Sequence, residues 1–409
     1  MTIFVARQPI FDLASRVSGY ELLYRRDSER TMAEGVDSNT MSARVIANTF
    51  LGIGIRELTG GVPGFVNFTR EQLLDGTHEL LDPQEVVIEL LESIQCDVDT
   101  LRACRALRTA GFTLALDDFV YDPSFHPLLE LASIVKVDVL DREESDIQHL
   151  VEQLRPFGVR LLAERVETDT MHERCKAMGF ELFQGYFYSR PETMSKEDLE
   201  PGQMAILQLL NLLRDTETSD ASLDEAFRGD PGLCYKLLRI VNSASMGGRG
   251  VESIAHAVRL VGRASLHRWL SVILAGSFAS KGGTYSELAL AALTRARLCE
   301  LMAERSSRNL APNALFMTGL FSMMDALMRA PMDRVLARVA VADDVRSALL
   351  TRTGTQAPAL LLAEAYEEGD WSRARELAQP VGVDADRVVP LYFEAIFWAR
   401  QQLQDATSD

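Results

Sequence analysis

Little in this sequence points outside the cell or into a membrane. It holds only five cysteines, Cys96, Cys104, Cys175, Cys234 and Cys299, an odd number with no CxxC pair. That argues against a disulfide framework or a zinc knuckle and fits a reducing cytoplasm. No apolar run approaches the ~20 residues that a membrane helix needs. The longest candidate, Trp269 to Phe278, reads as a buried helix. The stretch Met1 to Leu13 carries Arg7, Gln8 and Asp12 and shows no charged region followed by an apolar one, so no signal peptide is expected. Positive charge is also scarce. There are 42 basic against 59 acidic residues, a net charge of -17. This argues against nucleic-acid binding and against a polybasic membrane anchor. An anionic ligand would need a locally positive site. No His-Asp dipeptide occurs, and the six histidines show no metal-binding spacing.

What is present is ordinary globular composition, 47% hydrophobic and 25% charged over 409 residues, enough for two or three domains. In the first half, short apolar runs alternate with helical stretches. The runs are Phe65 to Phe68, Val86 to Leu91, Phe112 to Leu116, Ile134 to Val139, Val159 to Ala163 and Phe180 to Tyr188. Ser42 to Leu58, Val98 to Ala110, Ile147 to Phe157 and Met171 to Met178 read as helices, two of them ending at Gly111 and Gly179. This alternation predicts a parallel sheet with crossover helices. With an opening strand pair near Phe4 to Tyr24, the strands suffice for a closed (β/α)8 barrel. An open doubly wound sheet is the competitor. Arg190 to Glu197 is polar, contains proline and reads as a linker. From Gln203 onward the periodicity is helical, so an all-α domain is expected. The predicted domains are 1–195 and 196–409.

The polar residues of the first half fall at repeated places. Glu21, Asn67, Glu89, Asp117-Asp118, Lys136, Glu164 and Gln184 each sit within or directly after an apolar run. Taken singly, a Glu or Asn at a strand end is ordinarily solvated, Asp117-Asp118 is ordinarily a turn or cap, and Lys136 is ordinarily a surface ion pair. Seven successive elements with the same placement make that reading poor. In a parallel barrel the strand ends converge on one mouth, which would gather five carboxylates, two amides and one lysine. Such an oxygen-rich set suits Mg²⁺ or Mn²⁺.

These residues also resemble the EAL domains, bacterial phosphodiesterases that linearise cyclic di-GMP. The resemblance rests on Tyr20-Glu21-Leu22-Leu23-Tyr24-Arg25, Val66-Asn67-Phe68, Ile88-Glu89-Leu90-Leu91-Glu92, Leu116-Asp117-Asp118-Phe119, Lys136-Val137-Asp138, Ala163 to Thr168 and Gln184-Gly185-Tyr186, with Ser189-Arg190-Pro191 closing. It implies a TIM-like barrel over roughly residues 1–195. It implies metal binding by Glu21, Asn67, Glu89 and Asp117, and by Asp118 for a second ion. Lys136 and Glu164 would handle the attacking water, Glu167 and Gln184 would support them, and Arg25 would contact a phosphate. Three departures stand out. Leu22 replaces the name-giving Ala. Arg165 stands where the family usually has glycine, beside Glu164. Val120-Tyr121-Asp122-Pro123-Ser124-Phe125-His126 replaces a glycine-rich loop that in the family positions Asp118.

In the second half, Asp230 to Ala244, Ser253 to Val258 and Leu260-Val261-Gly262 resemble HDOD domains, helical modules related to metal-dependent HD phosphohydrolases. Where those enzymes carry His-Asp, Ser322 and Met323 stand here. A non-enzymatic module that contacts a protein partner is therefore expected. Gly52-Ile53-Gly54 is no dinucleotide loop, Gly247 to Gly250 reads as a helix connection, and Met323, Met324 and Met328 read as core. The combined order resembles the EAL–HDOD two-domain signalling proteins of bacteria. Two readings stand: a Mg²⁺- or Mn²⁺-dependent phosphodiesterase, or an inactive barrel that binds the nucleotide or serves as a scaffold. Related barrels often pair, so a homodimer is one expected assembly.

Overall fold

A computed structural model describes residues 3–26, 54–186, 200–215, 217–228, 233 and 254–407. It divides into two compact units. One comprises Met1–Glu192, Ala365–Arg375 and Ala385–Val389, and the other Thr193–Glu364, Glu376–Asp384 and Pro390–Asp409. Most of the expected helix Ser42 to Leu58, the linker, Ser189-Arg190-Pro191, Gly247 to Gly250 and nearly all of the Asp230 to Ala244 signature lie outside the described residues.

The first unit is built on eight strands closed into a barrel in sequence order. They are β1 (Ile3–Asp12), β2 (Val17–Arg26), β3 (Gly64–Phe68), β4 (Val86–Leu90), β5 (Thr113–Leu116), β6 (Ile134–Asp138), β7 (Arg160–Glu164) and β8 (Leu182–Gln184). The doubly wound alternative is excluded. The barrel departs from the all-parallel expectation in one place: β1 runs antiparallel to both its neighbours, β2 and β8. The β1–β2 hairpin turns over only a few residues, which an antiparallel pair allows and a parallel pair does not.

The outer helices are α1 (Ile55–Thr59), α2 (Arg70–Leu74), α3 (Val98–Thr109), α4 (His126–Leu129), α5 (Glu144–Leu154) and α6 (Asp169–Met178). Local chemistry sets their ends. Asp97 accepts from Thr100 N at 2.8 Å and Thr168 from Met171 N at 3.1 Å, so each satisfies an orphan donor of a first turn. Gly111 and Gly179 follow α3 and α6 with φ of +96° and +104°, the left-handed geometry that ends a helix.

Gly185 is the most constrained glycine of the barrel. Its φ is +142°, and a Cβ there would collide with the backbone N, C and O of Val166. Val166 N also donates to Gln184 O at 3.0 Å, which locks the two loops together. Gly185→Ala is therefore expected to cost about 3 kcal/mol or more, a fall in Tm of roughly 6–12 °C. Gly158→Ala is the control. Gly158 is also left-handed, with φ +64°, but a Cβ there meets nothing within 4 Å. Its cost should be only ~1 kcal/mol, and thermal unfolding of the two variants checks the contrast.

The remaining described elements are all helical: α7 (Pro201–Arg214), α8 (Asp220–Arg228), α9 (Ile254–Val261), α10 (Arg263–Ala279), α11 (Thr284–Arg305), α12 (Pro312–Phe321), α13 (Met324–Leu327), α14 (Met332–Arg338), α15 (Asp343–Thr351), α16 (Ala357–Glu367), α17 (Trp371–Val381) and α18 (Val388–Thr407). Trp269 to Phe278 falls in α10, and no described helix is long and apolar enough to cross a membrane. In α7, Pro201 occupies the first turn, and Ile206, Leu207, Leu210 and Leu213 form the buried stripe. Helices α11 and α12 approach closely at Gly319, where a Cβ would lie 2.7 Å from Arg295 O and 2.8 Å from Ala296 Cα.

Candidate functional site

Side chains alternate along a strand, so residues two apart share one face. Seven buried apolar residues form one layer inside the barrel: Ile10, Phe65, Val87, Ala115, Ile134, Leu162 and Leu182. At the eighth position, on β2, stands Gly19, where a Cβ would lie 2.7 Å from the Phe65 ring. Two residues along each strand from this layer come Gln8, Glu21, Asn67, Glu89, Asp117, Lys136, Glu164 and Gln184. Each strand thus raises one polar side chain above an apolar floor. Register sets Gln8 beside Glu21 and Asn67 beside Glu89.

Lys136 is the hub of this layer. Its side chain is fully buried, and Nζ lies 2.8 Å from Asp117 Oδ1, 2.9 Å from Glu164 Oε1, 3.0 Å from Glu89 Oε1 and 3.2 Å from Glu21 Oε2. The surface ion-pair reading of Lys136 is excluded. Glu21 is held from three sides. Gln184 Nε2 donates to its Oε2 at 2.7 Å, and Asn67 Nδ2 donates to Oε1 at 3.3 Å. Gln184 Nε2 also donates to Gln8 Oε1 at 3.0 Å.

Four carboxylates around one ammonium leave an excess of three negative charges if all are ionised. The protein has few donors to offset it. Glu89 is 0% exposed, and neither of its oxygens has a hydrogen-bond partner among the described residues. The same holds for Glu164 Oε2. Burial pushes the Glu89 carboxyl well above its ordinary value, against the opposing charge of Lys136. Burial likewise raises Asp117, and pushes Glu164 up to about 8 with help from Asp117 and Glu21. Burial also acts on Glu21, but Lys136 and the hydrogen bonds from Gln184, Lys136 and Asn67 outweigh it and hold that carboxyl below its usual range. Burial alone would lower Lys136; the four surrounding carboxylates raise it well above an ordinary lysine.

Asp117 also faces a second set. Its carboxylate, that of Asp118 and that of Glu92 offer oxygens within 4.8 Å of one another. Asp118 adopts a left-handed backbone, φ +42°, which is uncommon for a residue with a side chain and recurs at functional sites. A buried oxygen set with excess charge and carboxylate atoms lacking donors fits a hard divalent cation.

The structure also explains two of the departures. Arg165 has φ +53°, so the position favours glycine for its backbone. Its side chain does not crowd Glu164; it is largely exposed and pairs with Asp138. The segment Val120 to His126 is braced by its own side chains. Asp122 accepts from Ser124 N at 2.7 Å, and Pro123 opens a short 3₁₀ turn. Phe119 and Phe125 meet edge-to-face at 6.0 Å, Tyr121 OH and His126 Nε2 hydrogen-bond at 2.7 Å, and His126 packs 5.0 Å from Phe157.

Gln8 and Glu92 were not singled out by the sequence reading. Glu167 lies half-buried on the loop between β7 and α6. Arg25 falls in β2, and its side chain lies outside the described residues. In the helical half, Ser322 is buried. Its Oγ donates to Gly319 O at 2.7 Å and accepts from Arg295 Nη1 at 2.9 Å. Arg295 in turn lies 3.7 Å from Glu364, which Arg352 contacts at 2.8 Å. Met323 packs in the core. The Arg295 guanidinium thus addresses Ser322.

Comparison with known proteins agrees with this architecture. The EAL domain model matches residues 2–191 and the HDOD domain model residues 201–342. The chain belongs to the EAL–HDOD proteins. It is 33% identical to YuxH of Bacillus subtilis over 413 residues, spanning 99% of this chain and 100% of that one. It is 31% identical to CdgJ of Vibrio cholerae, named a cyclic di-GMP phosphodiesterase, over 402 residues, spanning 98% of this chain and 93% of that one. A solved structure of Klebsiella pneumoniae BlrP1 with calcium and cyclic di-GMP matches at 25% identity and a TM-score of 0.38, covering 46% of this chain and 56% of that one.

Proposed function

We propose that this chain is a cytoplasmic cyclic di-GMP signalling protein whose barrel, residues 1–195, hydrolyses the nucleotide, and whose helical domain, residues 196–409, is a non-catalytic module that meets a protein partner. The observation that carries this reading is the polar layer of the barrel, in which four carboxylates from four strands surround one buried lysine. Membership of the EAL–HDOD proteins and likeness to a named cyclic di-GMP phosphodiesterase along nearly the whole chain support it.

Glu21, Asn67, Glu89 and Asp117 would hold Mg²⁺ or Mn²⁺, and Asp118, with Asp117 and Glu92, a second ion. When bound, such ions polarise phosphate oxygens and lower the pKa of water. The chain's own groups then have separate tasks. Glu164, pushed up to about 8 chiefly by burial while no cation offsets the neighbouring carboxylates, would serve as a proton acceptor for the attacking water once bound cations favour its ionised form. Lys136 supplies a positive charge for the phosphodiester. Gln184 holds the Glu21 carboxylate at 2.7 Å in its orientation, and Gln8 holds Gln184 at 3.0 Å. Glu167 supports this face, and Arg25 would contact a phosphate.

A second reading, an inactive barrel that binds nucleotide or pairs with a second copy, is favoured by the braced Val120 to His126 segment in place of a glycine-rich loop. Metal titration by calorimetry at pH 8 tests the site. Saturable Mg²⁺ or Mn²⁺ binding that weakens at least tenfold in Glu21→Ala is expected. No heat with either metal at millimolar concentration would sink the metal site and the phosphodiesterase reading with it.

A further inference from the structure

We propose that Arg165 is a ligand-binding residue of the barrel, whose guanidinium, tethered by Asp138 at the mouth, receives the phosphate of cyclic di-GMP that is not cleaved. The inference rests on the reading of this barrel as a cyclic di-GMP site. It deepens that reading with a contact the family resemblance does not supply, since glycine is usual at this position.

Side chains two apart on a strand share a face, so Ile134, Lys136 and Asp138 stand in file along β6. Ile134 belongs to the apolar floor and Lys136 to the polar layer. Asp138 therefore stands one step, about 6.6 Å, further toward the mouth. Register pairs it with Glu164, and Arg165 is the next residue. Both oxygens of Asp138 are engaged: Oδ1 accepts from Leu140 N at 2.9 Å, and Oδ2 accepts from Arg165 Nη2. The carboxylate is thereby fixed by its own loop and holds the guanidinium at the rim. Donation to Asp138, and the charges of Asp138, Asp141 and Asp118, raise Arg165 above an ordinary arginine. Asp118, Asp141 and Arg165 are all left-handed, with φ of +42°, +56° and +53°, in the loops that follow β5, β6 and β7. Three consecutive loops thus each carry a strained residue with a charged side chain, and such strain gathers where ligands are held.

A guanidinium presents a planar fork that matches phosphate oxygens. Asp138 engages it through Nη2, and 57% of the Arg165 side chain stays exposed, against 20% for Asp138. Donors therefore remain for an incoming anion. Charge points the same way. With all groups ionised, the four carboxylates of the polar layer, Lys136 and one divalent ion would leave one negative charge, to which Asp138 adds another. A dianionic ligand meets that excess at the mouth, and Arg165 stands where it offsets it. The guanidinium lies beyond the layer of Glu164 and Lys136, so it faces the part of the ligand away from the reacting phosphate.

The test is made in full-length Glu164→Gln protein, which keeps the cyclic ring intact during titration. Cyclic di-GMP binding is measured by calorimetry in excess Mg²⁺, and Mg²⁺ binding is measured separately. Adding Arg165→Gln removes the charge but keeps a side chain on the same left-handed backbone. It is expected to weaken cyclic di-GMP by about tenfold or more, the loss of one charge-assisted contact. Adding Arg165→Lys instead should restore binding to within about threefold, since the charge returns without the fork. Mg²⁺ affinity should not weaken in either variant. Unchanged cyclic di-GMP binding by Arg165→Gln would overturn the proposal. So would a parallel loss of Mg²⁺ binding, which would mark Arg165 as a structural brace of the mouth. If Arg165→Gln does not fold, Arg165→Gly, which relaxes the backbone, carries the same comparison. Absence of cyclic di-GMP binding by the Glu164→Gln protein itself would instead refute the nucleotide reading of the barrel, and this inference with it.

Discussion

Glu89→Gln is expected to make the chelated protein more stable and the loaded protein inactive. Glu89 is fully buried, its oxygens have no hydrogen-bond partner among the described residues, and three further carboxylates surround the same ammonium. Removing its charge relieves both burial and repulsion, at a gain of about 1–3 kcal/mol. The Tm of the chelated protein at pH 8 should rise by roughly 3–10 °C. Metal-dependent hydrolysis of cyclic di-GMP should fall by about 10³-fold or more, because a ligand that orients the reacting groups is lost. A functional residue that weakens its own fold is a known trade. A lower Tm in the chelated variant would show that Glu89 stabilises the barrel, contrary to the electrostatics described above.

The second large effect is on pH. Glu89 and Asp117 sit above their ordinary values, and Glu164 at about 8, all chiefly because of burial. Between the unfolded value of a carboxyl near 4 and its raised folded value, the folded chain holds more protons than the unfolded one. Stability therefore falls as pH rises through that interval. For Glu164 the interval runs from about 4.5 to about 8. Glu21 acts oppositely: its lowered value stabilises above the unfolded pKa and is lost only in acid, below this window. Lys136, raised well above an ordinary lysine, keeps its contribution throughout the window. Between pH 5 and 8, chelated protein should thus be most stable at the acid end and lose roughly 5–10 °C in Tm by pH 8. Saturating Mg²⁺ should flatten the profile, since a cation favours the ionised carboxylates. Glu164→Gln should remove much of the slope. A chelated profile that is flat from pH 5 to 8 would contradict the burial assigned to these groups.

The parts of the site that were legible in the sequence share one physical feature. In a parallel barrel each functional side chain stands at the C-terminal end of its strand, so a polar residue closing an apolar run marks it. Asn67, Glu89, Asp117, Glu164 and Gln184 follow that rule, whereas Lys136 interrupts its run at mid-strand, between Val135 and Val137. Gln8 does not, because β1 is antiparallel and brings an earlier residue to the same mouth. An amide beside Arg7 in the stretch Val5 to Ile10 was the available signal. Glu92 lies two residues beyond β4, in a loop, where periodicity carries no information. Arg165 could be seen as a departure from a family pattern, but its left-handed backbone and outward pairing are properties of the fold. The segment after Asp118 was legible as a loss of glycine. That its aromatic and histidine side chains brace one another needed three dimensions.

In the helical half the periodicity of Gln203 onward was enough to give the class, since helices announce themselves by local spacing. The absence of any His-Asp dipeptide, Ser322 and Met323 included, was equally plain. The arginine that contacts Ser322 comes from α11, some distance back in the chain, and no local pattern ties the two.

The measurement that bears most directly on the account is turnover. Purified full-length protein is incubated with cyclic di-GMP in Mg²⁺, in Mn²⁺ and in chelator, and the nucleotides are separated by chromatography. The account predicts linear dinucleotide with metal, none with chelator, and none from Glu21→Ala under any condition. Cyclic di-GMP left intact by metal-saturated, folded protein would contradict the phosphodiesterase reading.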